Sequence, residues 1–375
     1  MMENPFIITE KIIPEYFCDR RKESQELIKL LTNGNNVVLI SQRRIGKTGL
    51  IQYCYEQPCL KKNFFTIYID ILSTTNLQEF TYLLGKEIFD VIRTKDEKAW
   101  RSFFTFVKSL AGKVSFDPIT GIPTFNIQLG DISKPDYTLK EIFQYLGNAG
   151  RPVIVAIDEF QQINTYPEKN VEALLRSHLL QINNCRMIFS GSERHLLSSM
   201  FLDTSRPFYL SASFIELDVI PKHVYVDFIR KLFEKGFRKI SENLAAEIYD
   251  MFQGITFYIQ RICNGIFANT GLGEEATEKI LQDTIDGILS SFDVIFRMRL
   301  SQLTSRQKEL LFAVAQENVA EQITSTVFIG KYSLSSASAV QTALKSLVKN
   351  NLIVKKENGF MIEDLFFRMW IRKNF

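Results

Sequence analysis

Cysteine, histidine and long apolar runs are all scarce in this sequence, and each shortage closes a class of function. The five cysteines (Cys18, Cys54, Cys59, Cys185 and Cys263) are scattered, odd in number and never in a Cys-x-x-Cys pair. That pattern argues against a disulfide frame or a zinc site, and for buried thiols in a reducing compartment. The three histidines, His178, His195 and His223, stand too far apart to suggest a metal site by spacing. No apolar run reaches the roughly 20 residues that a bilayer-crossing helix needs. Met1-Met2-Glu3-Asn4-Pro5 lacks the basic-then-apolar build of a signal peptide, so the expectation is a cytoplasmic protein with no membrane partner. Charge of one sign is lacking too: 45 Lys and Arg against 42 Asp and Glu leave +3, too little to predict a partner.

What is present is core-forming material. Hydrophobic residues make up 46% and aromatics 12% of 375 positions, enough for packed folding over two or three domains. The chain is organised around Val37-Val38-Leu39-Ile40-Ser41, a β-branched-rich run that reads as a buried parallel strand. A short polar loop and a helix beginning near Gly46 follow. Gly46-Lys47-Thr48 in that strand–loop–helix context is the end of a phosphate-binding loop pattern. Gly46 allows close backbone approach, and the amides of Arg44, Ile45, Gly46 and Gly49 line the turn into the helix end that attracts phosphate. Lys47 is placed to reach the β- and γ-phosphates, and the Thr48 hydroxyl to bind Mg²⁺. Ser41 departs from the pattern, standing where the first Gly belongs.

Further strands alternate with helices. Phe64 to Asp70 is a second strand ending on a carboxylate, and helices are expected from Leu77 to Ile92 and from Ala99 to Leu110. Val114–Asp117 and Pro123–Ile127, flanking Gly121, read as an inserted β-hairpin. Pro152 to Phe160 is an apolar strand ending in Asp158-Glu159. This suits an Mg²⁺-holding Asp158 and a Glu159 that orients and polarises the attacking water. A helix from Val171 to Ile182 leads to Cys185–Ser190, which places Ser190 at a strand tip as a candidate sensor of the γ-phosphate. Phe214–Leu217 is a fifth strand. The alternation predicts an α/β fold, a parallel sheet with helices on both faces and its ligand at the strands' carboxyl ends. Ahead of the first helix, Asp19 reads as an N-cap, with a nucleotide-base contact in the same turn as a second role.

From Pro221 the strand signals stop. Helical patterns through Val224–Phe233, Leu244–Phe252, Phe257–Phe267 and Ile280–Ile295 suggest a small helical lid over residues 221–300. Residues 301–375 then read as three helices and a strand–turn–strand wing, a winged helix following an ATPase domain of residues 1–220. This last unit holds ten basic and six acidic residues, mildly basic for a DNA reader. Its third helix offers Ser338, Gln341, Lys345 and Lys349 to DNA, or equally its surface to a protein partner.

With Phe17-Cys18-Asp19-Arg20, Arg43-Arg44-Ile45-Gly46-Lys47-Thr48, Asp70, Ile157-Asp158-Glu159-Phe160, Ser190-Gly191-Ser192 and the winged helix in view, the chain resembles the archaeal-type ATPases. That family is a branch of the STAND group of AAA-like P-loop NTPases. The resemblance implies ATP binding with Mg²⁺, a helical lid and a possible nucleotide-dependent oligomer. The chain departs from the pattern twice. Many relatives carry an Arg shortly before the fifth strand where this chain has Leu210-Ser211-Ala212, and Thr256 stands where relatives often have the Pro of a Gly-x-Pro. The sequence thus points to a slowly hydrolysing regulatory ATPase whose nucleotide state controls the winged helix. A nucleotide-gated DNA-binding protein and a non-hydrolysing nucleotide-binding scaffold stay open beside it. A kinase is the weaker reading, because no separate catalytic-loop pattern appears.

Overall fold

The computed structural model describes residues 4–8, 14–93, 97–109, 114–116, 123–125 and 128–375. They form two compact units. One comprises Ile7–Tyr225 with Gly254–Phe257, and the other Val226–Gln253 with Tyr258–Phe375 and the few residues before Ile7.

The first unit is built on a five-stranded sheet. Its members are β1 (Val37–Ser41), β2 (Phe65–Asp70), β5 (Val153–Asp158), β6 (Cys185–Gly191) and β7 (Ser213–Leu217), in the order β2-β5-β6-β1-β7. Every adjacent pair is parallel. β1 and β5 are buried along their whole length, which is why their sequences are unbroken apolar runs rather than alternating ones. The two apolar layers differ in make-up. One contains Leu27, Leu31, Leu50, Ile51 and Leu60 against Val37, Leu39, Ile154 and Ile188. The other is larger, and at its centre Phe189 lies 4.5, 5.1 and 5.3 Å from the rings of Phe160, Phe201 and Phe208.

Beside the sheet, β3 (Val114–Phe116) and β4 (Pro123–Phe125) pair antiparallel as the expected hairpin; its turn around Gly121 lies outside the described residues. The helix expected to reach Leu110, itself outside those residues, spans Glu97–Phe106. Helices Pro58–Asn63, Pro135–Asn148 and Arg194–Leu202 were not anticipated. Asp19 is not an N-cap. Helix Arg21–Thr32 is preceded by Arg20 in left-handed backbone with no side-chain cap, and Asp19 is itself exposed at φ 45°. Two consecutive left-handed residues carry the chain sharply into the helix, so the carboxylate never meets its amides.

The second unit is helical before its wing. It contains Glu242–Met251, Thr256–Asn269 (from Tyr258 onward) and the 24-residue Glu278–Ser301. Helices Ser305–Gln316, Thr326–Lys331 and Ala337–Lys349 follow, capped by the side chains of Thr304, Ser325 and Ser336. β8 (Ile353–Lys356) and β9 (Gly359–Ile362) make the antiparallel wing. A terminal helix that the sequence reading missed, Leu365–Asn374, buries Trp370, whose indole N–H donates to Asp293 at 2.9 Å. Among the described residues no helix is long and apolar enough to cross a membrane.

Truncating Phe189 to Ala is expected to cost about 3–5 kcal/mol of unfolding free energy, because the surrounding rings cannot collapse into the void; a denaturant titration measures it. His178 supplies a pH-dependent expectation. Burial pushes its imidazole below the ordinary value, with Lys140 adding to the effect and Asp136 opposing it. The unfolded chain therefore takes up the proton first, and stability is lost as pH falls through roughly 6.5, the unfolded value. In His178→Phe the part of the acid-side loss of Tm that parent shows between about pH 7.5 and 5.5 and owes to this residue is expected to disappear.

Candidate nucleotide site

β1 ends at Ser41, and the chain turns through Arg44 (φ 68°) and Gly46 (φ 100°) before helix Lys47–Glu56 begins. Gly46 is the N-cap residue of that helix. A Cβ there would meet nothing within 4 Å, so the constraint is backbone angle, and the space above it is open. Ser41 is buried and its hydroxyl donates to the Gln42 carbonyl at 2.8 Å, so the missing Gly is replaced by a side chain folded back on its own turn. Ile45 is buried too, and its carbonyl accepts from the Arg20 guanidinium at 3.3 Å. The Arg44 carbonyl accepts from the Phe257 amide at 3.1 Å, and the Arg44 guanidinium lies over that ring, 5.1 Å from its centre. Gly49 is buried within the helix.

Lys47 is 7% exposed. Burial pushes its ammonium below the usual value, and Asp158 and Glu159 pull it back. A cation so placed gains from any polyanion that enters the loop.

Asp158 ends β5, and four donors converge on its carboxylate. Oδ1 accepts the Ser190 hydroxyl at 2.7 Å and the Glu159 amide at 3.0 Å. Oδ2 accepts the Tyr68 hydroxyl at 2.7 Å and the Thr48 hydroxyl at 3.1 Å. The parallel register explains the meeting. Asp70 pairs with Asp158 and Tyr68 with Ala156, so Tyr68 sits two residues back on the same face. Burial and the Asp158 carboxylate push the Tyr68 phenol well up, which keeps it a protonated donor. Asp70 is held by the Leu72 amide at 2.9 Å and its own pKa is raised, chiefly by burial.

Glu159 follows in left-handed backbone, φ 56°. Its Oε2 accepts from Gln161 at 2.5 Å and from the Ser192 amide and hydroxyl at 3.1 and 2.8 Å. Gln161 can lie there because residue 191 is glycine; a Cβ would collide with the Gln161 amide oxygen. The Arg43 Nε donates to the Ser192 hydroxyl at 3.1 Å, which links the loop after β1 to the loop after β6.

The structure therefore brings Lys47, Thr48, Asp158, Glu159 and Ser190 together at the carboxyl ends of β1, β5 and β6. Asp19 is not joined to them by any contact; its neighbour Arg20 reaches the loop instead. Phe17 stacks on Tyr53 of helix Lys47–Glu56, with ring centres 4.2 Å apart. Tyr68, Gln161 and Arg20 were not singled out from the sequence. Only Tyr68 carried a signal, its place two residues before Asp70 on one strand face. The hard-oxygen pair of Thr48 and Asp158 suits Mg²⁺, and the open space over Gly46 and the buried Lys47 suit a phosphate chain. The groups present fit both.

The fold and this site define a P-loop ATPase-type domain. The chain belongs to the family described as "ATPase domain predominantly from Archaea", which it matches over residues 17–262. Residues 294–373 match a second family, described as a "probable winged helix domain". Among solved structures it is similar to the Walker-type ATPase paby2304 of Pyrococcus abyssi, at 21% identity and TM-score 0.68, covering 98% of this chain and 99% of that one. It is also similar to the ORC2 protein of Aeropyrum pernix, solved as ADPNP–ADP complexes, at 15% identity and TM-score 0.62 over 99% and 96% of the two chains. The Aeropyrum pernix ORC1 protein in complex with DNA matches at 10% identity and TM-score 0.56 over 99% and 96%. At such identities the likeness is one of fold. No curated protein matches the chain.

Ser190→Ala leaves the buried Asp158 oxygen short of one charge-assisted bond, and a loss of about 1.5–3 kcal/mol in unfolding free energy is expected in urea titration.

Proposed function

We propose that the chain is an ATP-binding, slowly hydrolysing regulatory ATPase whose nucleotide state controls its winged-helix domain. One observation carries the reading: Thr48 and the buried Lys47, on the helix after β1, meet Asp158 and Glu159 at the carboxyl end of β5. Lys47 neutralises β- and γ-phosphate charge, and the loop amides cradle the phosphates. Thr48 and Asp158 hold Mg²⁺, which when bound supplies charge neutralisation of the phosphates. Glu159 accepts a proton from water through Oε1, since Oε2 already takes three donors. Ser190 fixes Asp158 and so senses how that carboxylate is engaged. In this reading residues 1–220 are the ATPase domain, 221–300 a helical lid and 301–375 the winged helix.

Slow turnover is supported by two features. Glu159 is tied down on one oxygen, and Arg206 is not free to serve a neighbouring molecule. Arg206 pairs with Glu172 and donates to Asn164 at 2.7 Å.

Lys47→Ala is expected to abolish binding of a fluorescent ATP analogue in Mg²⁺. Glu159→Gln is expected to keep binding and to lower steady-state kcat by about 100-fold or more. Unchanged binding and turnover in Lys47→Ala would overturn the proposal.

The second reading, DNA binding gated by nucleotide, rests on the winged helix. Ser338, Gln341, Lys345 and Lys349 are all exposed on helix Ala337–Lys349. Beside them a groove of about 380 Å³ is lined by Thr304, Arg306, Gln307, Ser336, Ser338 and Thr342, with no acidic residue. The ORC1 protein of similar fold was solved with DNA. Duplex affinity is expected to fall with rising salt, and replacing Lys345 and Lys349 by Gln is expected to reduce the log–log slope by about 2. A flat salt response rejects this reading.

A further inference from the structure

Resting on the reading that Thr48 and Asp158 hold Mg²⁺, Asp158 through a metal-bound water, we propose that Tyr68 competes with the water shell of Mg²⁺ for Asp158. The phenol thereby sets how readily the nucleotide site takes up the metal. A carboxylate offers about four lone-pair positions. In this structure four donors fill them: Ser190 and the Glu159 amide on Oδ1, Tyr68 and Thr48 on Oδ2.

The four donors are not equally removable. Ser190 is fully buried on a central strand, and the Glu159 amide is backbone. Thr48 can keep donating its proton to Asp158 while its oxygen lone pairs face a metal, so it serves both partners at once. Tyr68 has no such double use. It belongs to β2, at the edge of the sheet, and its side chain is only half-buried, so it can swing out without disturbing the strands. Its hydroxyl also lies 3.3 Å from the Thr48 hydroxyl, beside the two groups that would hold the cation.

Mg²⁺ keeps several waters when it binds protein and phosphate, and the protons of those waters need acceptors. With every lone pair of Asp158 already engaged, one of those waters reaches the carboxylate only by taking the place of Tyr68. The phenol touches no reacting atom. It is a positioning residue acting through Asp158, which braces the carboxylate in the metal-free state and resists the metal.

The test is a Mg²⁺ titration of fluorescent ATP-analogue binding, followed by anisotropy, on the full chain and on Tyr68→Phe. Removing the competing hydroxyl is expected to lower the half-saturating Mg²⁺ by about 3- to 10-fold, the value of one such hydrogen bond. Affinity for the analogue without divalent ion is expected to stay within about twofold. A phenol that merely supports Asp158 gives the opposite sign, because a looser carboxylate needs more Mg²⁺. A raised or unmoved half-saturation therefore overturns the proposal. Should Tyr68→Phe fail to fold in a urea titration, Tyr68→Met fills similar space without a hydroxyl and must show the same fall. Mn²⁺ bound to each protein, counted by electron paramagnetic resonance with the analogue present, must tighten in parallel. If the parent binds the analogue without any dependence on Mg²⁺, the reading of the site falls together with this proposal. If the parent depends on Mg²⁺ and the variant matches it, only the role of Tyr68 is lost.

Discussion

Four hydrogen bonds to one carboxylate hold the candidate nucleotide site together. Asp158 is 6% exposed, and a buried carboxylate must have its oxygens satisfied by hydrogen-bond donors. Those donors come from the P-loop helix (Thr48), an edge strand (Tyr68), a central strand (Ser190) and the backbone that follows (the Glu159 amide). Each bond fixes its element relative to β5. The carboxylate thus does structural work before any ligand arrives, and the groups that would engage metal and phosphate are preset in position. The cost is that no lone pair is idle, so anything that approaches Asp158 must replace something.

A second link ties the loops above the sheet to one another. Arg43 after β1, Ser192 after β6 and Glu159 after β5 form one chain of polar contacts. The geometry makes the two loops interdependent without moving the strands, since Ser192 is the shared partner. Gly191 is the concession that permits it, because Gln161 must lie against that backbone to complete the hold.

Much of this was legible in the sequence, and the reason is periodicity. β1 and β5 are buried on both faces, so an uninterrupted apolar run marked each strand, and their ends marked Ser41 and Asp158. Glu159 followed as the residue after β5, Lys47 and Thr48 from the Gly-Lys-Thr that opens the helix after β1, and Ser190 from its place at the tip of β6. The winged helix was visible through helical spacing and the polar turn at Lys355–Gly359. The missed features share one property, which is dependence on strand register or on backbone conformation rather than on local side-chain pattern. Tyr68 meets Asp158 only because β2 and β5 pair with Asp70 opposite Asp158, a register no local pattern encodes. Arg20 meets Ile45 and Gln161 meets Glu159 through left-handed residues at 19, 20 and 159, where side-chain identity gave no warning. Asp19 misled for the same reason. An acidic residue before a helix is a good cap only when its backbone is extended, and here it is not.

The winged-helix unit follows a different economy. Its helices begin at Thr304, Ser325 and Ser336, each with a hydroxyl accepting from a first-turn amide, and its terminal helix begins at Asp364 in the same way. Local capping therefore defines every helix of that unit, and the sequence marks the first three directly. The exposed side of helix Ala337–Lys349 carries hydroxyls, an amide and two lysines at Ser338, Thr342, Gln341, Lys345 and Lys349, with Val348 as the one large apolar side chain exposed beside them. Such a surface is strongly hydrated and gains little from burying area. A partner that binds it must supply acceptors for the lysine ammoniums and hydroxyls, which phosphate oxygens and acidic side chains both do. The distinction between them is ionic: a polyphosphate partner releases counterions in proportion to the lysines engaged, and an acidic protein surface does so far less steeply.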